Sequence, residues 1–395
     1  MDFWCVMYSS MCRKLISLSG YSPYQKTWHQ RVLRSITQFT MVIFSVGMII
    51  KLFTAKMDFI SLFEFLPNVA VMTALAILSF TFDIQSNLYV NLWQQMEEDW
   101  GHSDMKDELE IRNKYATLGR RLMDLNFTSF NWVAVFYVAG VDLRSFCLDI
   151  ISPLNESRPM SQLFEVDYLF IDNERYWILI MIYLHFCFYT FHTFSMGCQS
   201  IFLAYAFHLF GMFQILSYRL KTAVSRFMID NSTSTKTNNP NKINCNAVIR
   251  CIKQHQRLLK FIDHFEGLYS PALLLGLFFS MLSLSSSLYI TSNSSGSHYR
   301  AIIQTIVIMT FQLFLNILGQ FITDLGVSLP NKVYCIDWYY LHPQAQKLLI
   351  LILRQCLTPC KITAFKFFTI SMDLYRAIIQ TSVSYCMLFY YIKSA

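Results

Sequence analysis

Apolar residues dominate seven stretches of the chain, at 33–53, 60–84, 127–147, 176–205, 266–290, 301–329 and 377–392. A helix needs roughly 20 residues to cross a hydrocarbon layer about 30 Å thick. Lipid offers an unpaired backbone group no partner, and these runs lack the alternation of barrel strands, so each is predicted to be a helix. Outside the runs, helical spacing persists. HLFGMFQILSYRLKTAVSRFMID continues the fourth run, VIRCIKQHQRLLKFIDHFEGLY leads into the fifth, and VYCIDWYYLHPQAQKLLILILRQC lies between the sixth and seventh. Each carries an apolar face beyond the expected membrane, which predicts a packed intracellular helical layer or, alternatively, helices lying on the membrane surface. NSTSTKTNNPNKINCN, at 231–246, is polar and of low complexity and is expected to be a disordered loop.

Charge orients this pattern. One alternating set of connections holds Arg13, Lys14, Lys26 and Arg31, then Lys106 to Arg121, then Arg219 to Lys260, then Lys332, Lys347, Arg354 and Lys361. The other set holds little beyond Lys56, Arg158, Arg175 and Arg300. Positive charge stays inside, so the expected class is an all-α integral membrane protein of seven transmembrane helices, N-terminus cytosolic and C-terminus extracellular. The organisation that follows is a cytosolic segment 1–32, four spans in 33–205, intracellular helical extensions 206–265 around the loop 231–246, spans five and six in 266–329, an intracellular anchor segment 330–376 and a last helix 377–395. The sequons at Asn155 and Asn293 fall on the external side and are candidate glycosylation sites, whereas Asn231 falls inside.

Composition agrees: 54% of the residues are hydrophobic and 14% charged, against about 25% charged in soluble domains. The net charge of +7 forms no continuous basic face, which argues against nucleic acid. The 11 cysteines include no CxxC pair, and a disulfide framework is not expected. The N-terminal stretch lacks a cleavable leader pattern, so the first span is expected to act as an uncleaved signal anchor. No paired carboxylates, Ser/His/Asp arrangement or phosphate loop suggests an enzyme, and no cofactor is expected. His185 and His192, seven apart, lack a third ligand for zinc and are expected to hydrogen-bond within the bundle.

The last span covers about 16 residues, roughly 24 Å of helix, which is short for the layer. Gln380, Thr381 and Ser384 form a polar stripe that continues outward through Leu388 to Tyr391 or Ile392. Two readings stand: the stripe faces a water-filled vestibule and an apolar gate, or its polar members bond to neighbouring helices. The first requires several subunits around an axis. Asp373 and Arg376, three apart, could brace each other where the chain enters the membrane, or simply be solvated.

Gly319-Gln320, Val333-Tyr334, Trp338 and Ser384-Tyr385 resemble, in order and spacing, the C-terminal signature of the insect odorant receptors. The related gustatory receptors end on Thr-Tyr and, five apolar residues later, Gln-Phe; here Ser384-Tyr385 and Tyr391-Ile392 stand there instead. The resemblance implies a tetrameric ligand-gated cation channel built from tuning receptors and a shared co-receptor, in the plasma membrane of a sensory neuron dendrite. The last helix would line the pore, with Leu388 and Ile392 at the gate and Tyr391 nearby, and intracellular helices would form the anchor. The co-receptor is longer, so a chain of 395 residues resembles a tuning subunit.

By the same resemblance a volatile odorant sits in the extracellular half of each tuning subunit. The candidates there are Phe65 and Met72; Phe136, Tyr137 and Gly140; Ile180, Tyr183 and Phe186; Ser285 and Tyr289; and Gln304, Ile308 and Phe311. Such side chains suit an apolar ligand, at about 25 cal/mol per Å² removed from water, with a few hydroxyls to orient it. Gly140 leans to a close helix contact, and Glu64, Asp142 and Arg144 are candidates for an ion pair capping the pocket. Expected partners are the co-receptor, the odorant and membrane lipids. A G-protein-coupled receptor is the main rival, opposed by the charge pattern and by LRSFCLDI at the end of the third span; a transporter lacks its inverted repeat.

Overall fold

A computed structural model describes residues 7–8, 10–22, 24–54, 59–101, 105–151, 164, 166, 175–232, 240–293, 298–358 and 360–394. Its helices are α1 (Ser10–Leu18), α2 (Thr27–Thr54), α3 (Phe59–Ile84), α4 (Ser86–Gly101), α5 (Lys106–Ile151), α6 (Trp177–Ser232), α7 (Pro240–Asn293), α8 (His298–Tyr334), α9 (Pro343–Gln355) and α10 (Met372–Ser394). A 3₁₀ turn (Trp338–Tyr340) and the two-residue strands β1 (Thr363–Ala364) and β2 (Phe368–Thr369) complete it. Five helical stretches among the described residues are long and apolar enough to cross a membrane: Thr27–Thr54, Ser61–Ile84, Trp177–Ser225, Cys245–Ser292 and Tyr299–Tyr334. The expected third and seventh spans are helical too, within α5 and α10.

Two helices run far beyond a membrane's thickness. α6 has 56 residues and α7 has 54, so the expected spans and their extensions are continuous. Helix also reaches into the polar stretch expected as a loop, to Ser232 on one side and from Pro240 on the other. Proline is well placed at a helix start, where its missing N–H costs no bond.

Every residue of α6 from 200 to 213 is buried. That run, LAYAFHLF within it, is apolar on nearly all faces, as a helix at the centre of a bundle must be. α1 packs on α6, α5 runs along α6, α3 along α7, and α10 against α7 and α8. Away from the apolar spans, charges join the helices. The Arg219 guanidinium donates to both Glu108 carboxylate oxygens, at 2.7 and 2.6 Å, and to Gln254 Oε1 at 3.0 Å, tying α6 to α5 and α7. Arg112 donates to the carbonyls of Asp99 and Trp100, at 2.9 and 2.8 Å, at the carbonyl end of α4, where a cation also meets the helix dipole favourably. Burial pushes the Cys251, Cys356 and Cys360 thiols up to about 11, so they stay protonated and poorly nucleophilic at neutral pH.

The β1–β2 turn carries Phe365 and Lys366 at φ 50 and 60, a left-handed backbone that costs side-chain-bearing residues about 1–2 kcal/mol each. α7 holds it there: Ser270 Oγ accepts the Phe365 N–H at 2.6 Å, and Thr363 Oγ1 donates to Glu266. This hairpin delivers the chain to Ser371, where α10 begins.

Candidate ligand cavity and last helix

A cavity of about 360 Å³ lies among α3, α5, α6, α7 and α8. It exists because small side chains face it: Ala74, Ala134 and Ser195, and above all Ala272, Gly276 and Ser280, spaced four apart on α7. A Cβ added at Gly276 would meet nothing within 4 Å. One wall is aromatic, with Tyr137 stacked on Phe188 at 6.2 Å and Phe188 on His192 at 6.3 Å. Among the described residues, no Asp, Glu, Lys or Arg lines it. Its volume suits a small molecule, and its surface suits an apolar one.

Five of the expected contact residues meet here: Met72, Tyr137, Gln304, Ile308 and Phe311. The other eight do not line it. On α6 the lining begins at Phe188, so Ile180 lies eight residues, about 12 Å, back along the helix. Tyr183 and Phe186 also precede it, and Phe186 is exposed. On α7 the lining ends at Ser280; Ser285 and Tyr289 lie beyond it. Tyr289 instead fills the space between α3 and α10, its ring centroid 5.1 Å from those of Phe63 and Tyr390. Phe65 is buried in the core, and Phe136 is 64% exposed, because Val133, Ala134 and Tyr137 take the inward face of α5. Gly140 makes a helix contact: Tyr299 donates its hydroxyl to the Gly140 carbonyl at 3.0 Å, and a Cβ there would lie 3.1 Å from the ring.

Sequence reasoning passed over Ala272, Gly276 and Ser280, because small residues at this spacing ordinarily signal close helix packing. It also passed over Gln312, two turns below Gln304. Gln312 is 3% exposed and donates its Nε2 to Ser280 Oγ at 2.8 Å, while Ser280 donates to the Leu277 carbonyl at 2.9 Å. The two histidines are hydrogen-bonded: His185 Nδ1 is 2.8 Å from the Met181 carbonyl, and His192 Nε2 is 3.1 Å from Asn131 Oδ1. Glu64, Asp142, Arg144 and Asn293 have side chains outside the described residues, as Asn155 lies outside altogether.

α8 continues from the cavity to the start of α10. Asn316, fully buried, donates to the Gln312 carbonyl at 2.8 Å and accepts the Ser371 N–H on Oδ1 at 3.1 Å. One turn on, Gln320 Oε1 accepts the Met372 N–H at 3.4 Å, and Ser371 Oγ caps Leu374 N at 3.3 Å. Between the two, Gly319 lies against Ile370, where a Cβ would come 2.5 Å from the Ile370 carbonyl oxygen.

α10 presents two faces. Ile378, Ser382 and Cys386 are buried, with Phe389 and Tyr390 half-buried against α3 and α7. Gln380, Ser384, Leu388, Tyr391 and Ile392 are exposed, with Thr381 half-buried beside them. Ser384 donates to the Gln380 carbonyl of its own helix at 3.0 Å rather than to a neighbour. Asp373 and Arg376 are both exposed in the chain and form no ion pair with each other.

The fold has close counterparts. It superposes on the insect olfactory receptor OR5 from Machilis hrabei in complex with eugenol with a TM-score of 0.78, at 13% identity over 97% of both chains. A second OR5 structure gives 0.75 over 96% of both. In sequence, the odorant receptor coreceptors of Harpegnathos saltator and Anopheles gambiae are 26% and 25% identical over 150 residues, covering 37% of this chain and 31% of theirs. Odorant receptor 9a of Drosophila melanogaster is 23% identical over 146 residues, 36% of each chain. These curated relatives are thus matched over about a third of their length. The 7tm Odorant receptor family matches residues 36–383, nearly the whole chain, and this membrane protein belongs to that insect receptor family.

Proposed function

We propose that the chain is the odorant-binding subunit of a heteromeric ligand-gated, non-selective cation channel in the plasma membrane. A volatile hydrophobic ligand occupies the cavity, and the last helix of each of several subunits lines the pore, with seven crossings, a cytosolic N-terminus and an extracellular C-terminus. The observation that carries the reading is the run of α8 from the cavity wall at Gln312, through Asn316 and Gln320, to the backbone N–H groups that open α10. A ligand that favours one position of α8 thereby biases the seat of α10, the differential contact that gating needs. The exposed Gln380, Ser384, Leu388, Tyr391 and Ile392 face favours the vestibule-and-gate reading over bonding within the chain. Similarity to coreceptors supports assembly with that subunit class.

The topology is tested by a tag after Ala395, with the chain expressed with and without an insect co-receptor. Antibody labelling of intact cells is expected; labelling only after permeabilisation, with protein at the surface, overturns the orientation and the pore assignment with it. The cavity is tested by Gly276→Ala. The methyl enters open space, so surface abundance should hold, while responses to the largest active odorants should fall several-fold relative to the smallest. Equal dose–response shifts across ligand sizes would contradict the site.

A further inference from the structure

Free hydrogen-bonding capacity is concentrated at one end of the cavity. Tyr299, at the start of α8, donates to the Gly140 carbonyl of α5 at 3.0 Å. Phe63, near the start of α3, packs on Tyr289, near the end of α7, with ring centroids 5.1 Å apart. These contacts put the start of α3, the Gly140 stretch of α5, the end of α7 and the start of α8 at one end of the bundle, the outer end. The polar lining residues nearest to it are Asn68 of α3, Tyr137 of α5 and Gln304 of α8. All three are half-buried, none has a hydrogen-bond partner among the described residues, and no polar atom of theirs is sealed. A hydroxyl and two amides offer both donors and acceptors, whichever way the amides are turned. Away from water such groups are costly until a partner arrives.

Deeper in, the polar side chains already have protein partners. His192 Nε2 meets Asn131 Oδ1 at 3.1 Å, and Gln199 accepts from Asn126 Nδ2 at 3.0 Å and donates to Ser195 Oγ at 3.1 Å. Gln312 donates to Ser280 Oγ, and its Oε1 is sealed from the space. Gln312 lies eight residues beyond Gln304, about 12 Å along α8, with apolar Ile308 and Phe311 between them. On α7 the lining residue farthest from the outer end is Ala272. Resting on the reading of this cavity as the odorant site, we propose that ligands bind in one direction, a neutral oxygen-bearing end group among Asn68, Tyr137 and Gln304 and an apolar tail reaching toward Ala272. The selected class is volatiles with a hydroxyl or carbonyl at one end of an apolar body. The same group at mid-chain would lie among apolar side chains without a partner, which is unfavourable.

Position isomers test the direction: 1-octanol against 4-octanol and octanal against 4-octanone, with nonane as the chain lacking an end group and 1-hexanol as the shorter alcohol. Each is titrated against the full chain purified in lipid nanodiscs, reading ligand-induced thermal stabilisation, and against cells co-expressing the co-receptor, reading current. The terminal isomers are expected to bind about tenfold tighter than the internal ones. Tyr137→Phe combined with Gln304→Met should bring each pair to within about twofold, by weakening the terminal isomers, and should leave nonane unchanged. Should the double variant not fold, the single variants decide, each losing about threefold. Ala272→Leu fills the far end, so it should weaken 1-octanol more than 1-hexanol while the terminal preference persists. Equal affinity of the isomers, a preference that survives both outer substitutions, or 1-octanol binding indifferent to Ala272→Leu overturns the proposal and leaves the cavity reading standing. If no substitution at either end alters any ligand, or none of the six stabilises the protein or drives current, the cavity reading falls with it. Stabilisation with the expected ratios but no current upholds the proposal and faults only the channel reading.

Discussion

Gly319→Ala is expected to unseat the last helix. The added methyl carbon would sit 2.5 Å from the Ile370 carbonyl oxygen, 2.6 Å from its Cγ2 and 2.8 Å from its Cβ. These are backbone and branched-side-chain atoms, not the free end of a flexible chain. Ile370 cannot give way easily, being fully buried with its N–H bonded to the Ile362 carbonyl at 2.9 Å. Overpacking of this kind costs about 1–3 kcal/mol, and relief by separating α8 from the chain before α10 would also stretch the Asn316 and Gln320 bonds to Ser371 and Met372. The expected outcome is a fall of several degrees in the melting midpoint of the purified protein, with most odorant-evoked current lost. Gly101→Ala, whose Cβ meets nothing within 4 Å, serves as the control and should change neither. An unaltered midpoint in Gly319→Ala would refute this account of the Gly319-Gln320 pair.

Arg219→Ala should be at least as damaging, through charge. The Glu108 side chain is 4% exposed and both its oxygens are held by Arg219, so truncation strips both bonds from a carboxylate in a closed site and leaves Arg112 as its nearby positive charge. Removing one partner of a buried pair costs about 3–5 kcal/mol. Arg219→Lys keeps the charge but loses the two-pronged geometry and the donation to Gln254, so it should fall between. Glu98→Gln supplies the contrast: its carboxylate is 61% exposed beside Arg257, and surface pairs contribute about 0–1 kcal/mol. Melting of the four proteins side by side would decide it; Arg219→Ala matching Glu98→Gln would mean that water already reaches Glu108.

How much could be read beforehand differs by element. The apolar runs at 33–53, 60–84, 176–205, 266–290 and 301–329 lie within helices because a hydrophobic run of that length has few alternatives in lipid. The helical continuity of α6 and α7 was visible in the unbroken spacing of HLFGMFQILSYRL and IKQHQRLLKFIDHF. The cavity was not. Met72, Tyr137, Gln304, Ile308 and Phe311 meet in it, but large residues near the same end, such as Phe136 and Tyr289, face outward or fill other gaps. A cavity is made by what is missing, and its makers, Ala272, Gly276 and Ser280, carry no chemical signal of their own.

By itself, then, the sequence determined a helical membrane protein, the signature Gly319-Gln320, Val333-Tyr334, Trp338 and Ser384-Tyr385, and a last helix with a polar stripe ending in apolar residues. Those properties follow from composition and periodicity along a single segment, which burial in lipid makes decisive. The tertiary structure alone decided where the space lies along α6 and α7 and which face of α10 is left uncovered. Each of these depends on the rotation and depth of several helices at once, and a shift of one residue, about 100° and 1.5 Å, would reverse it.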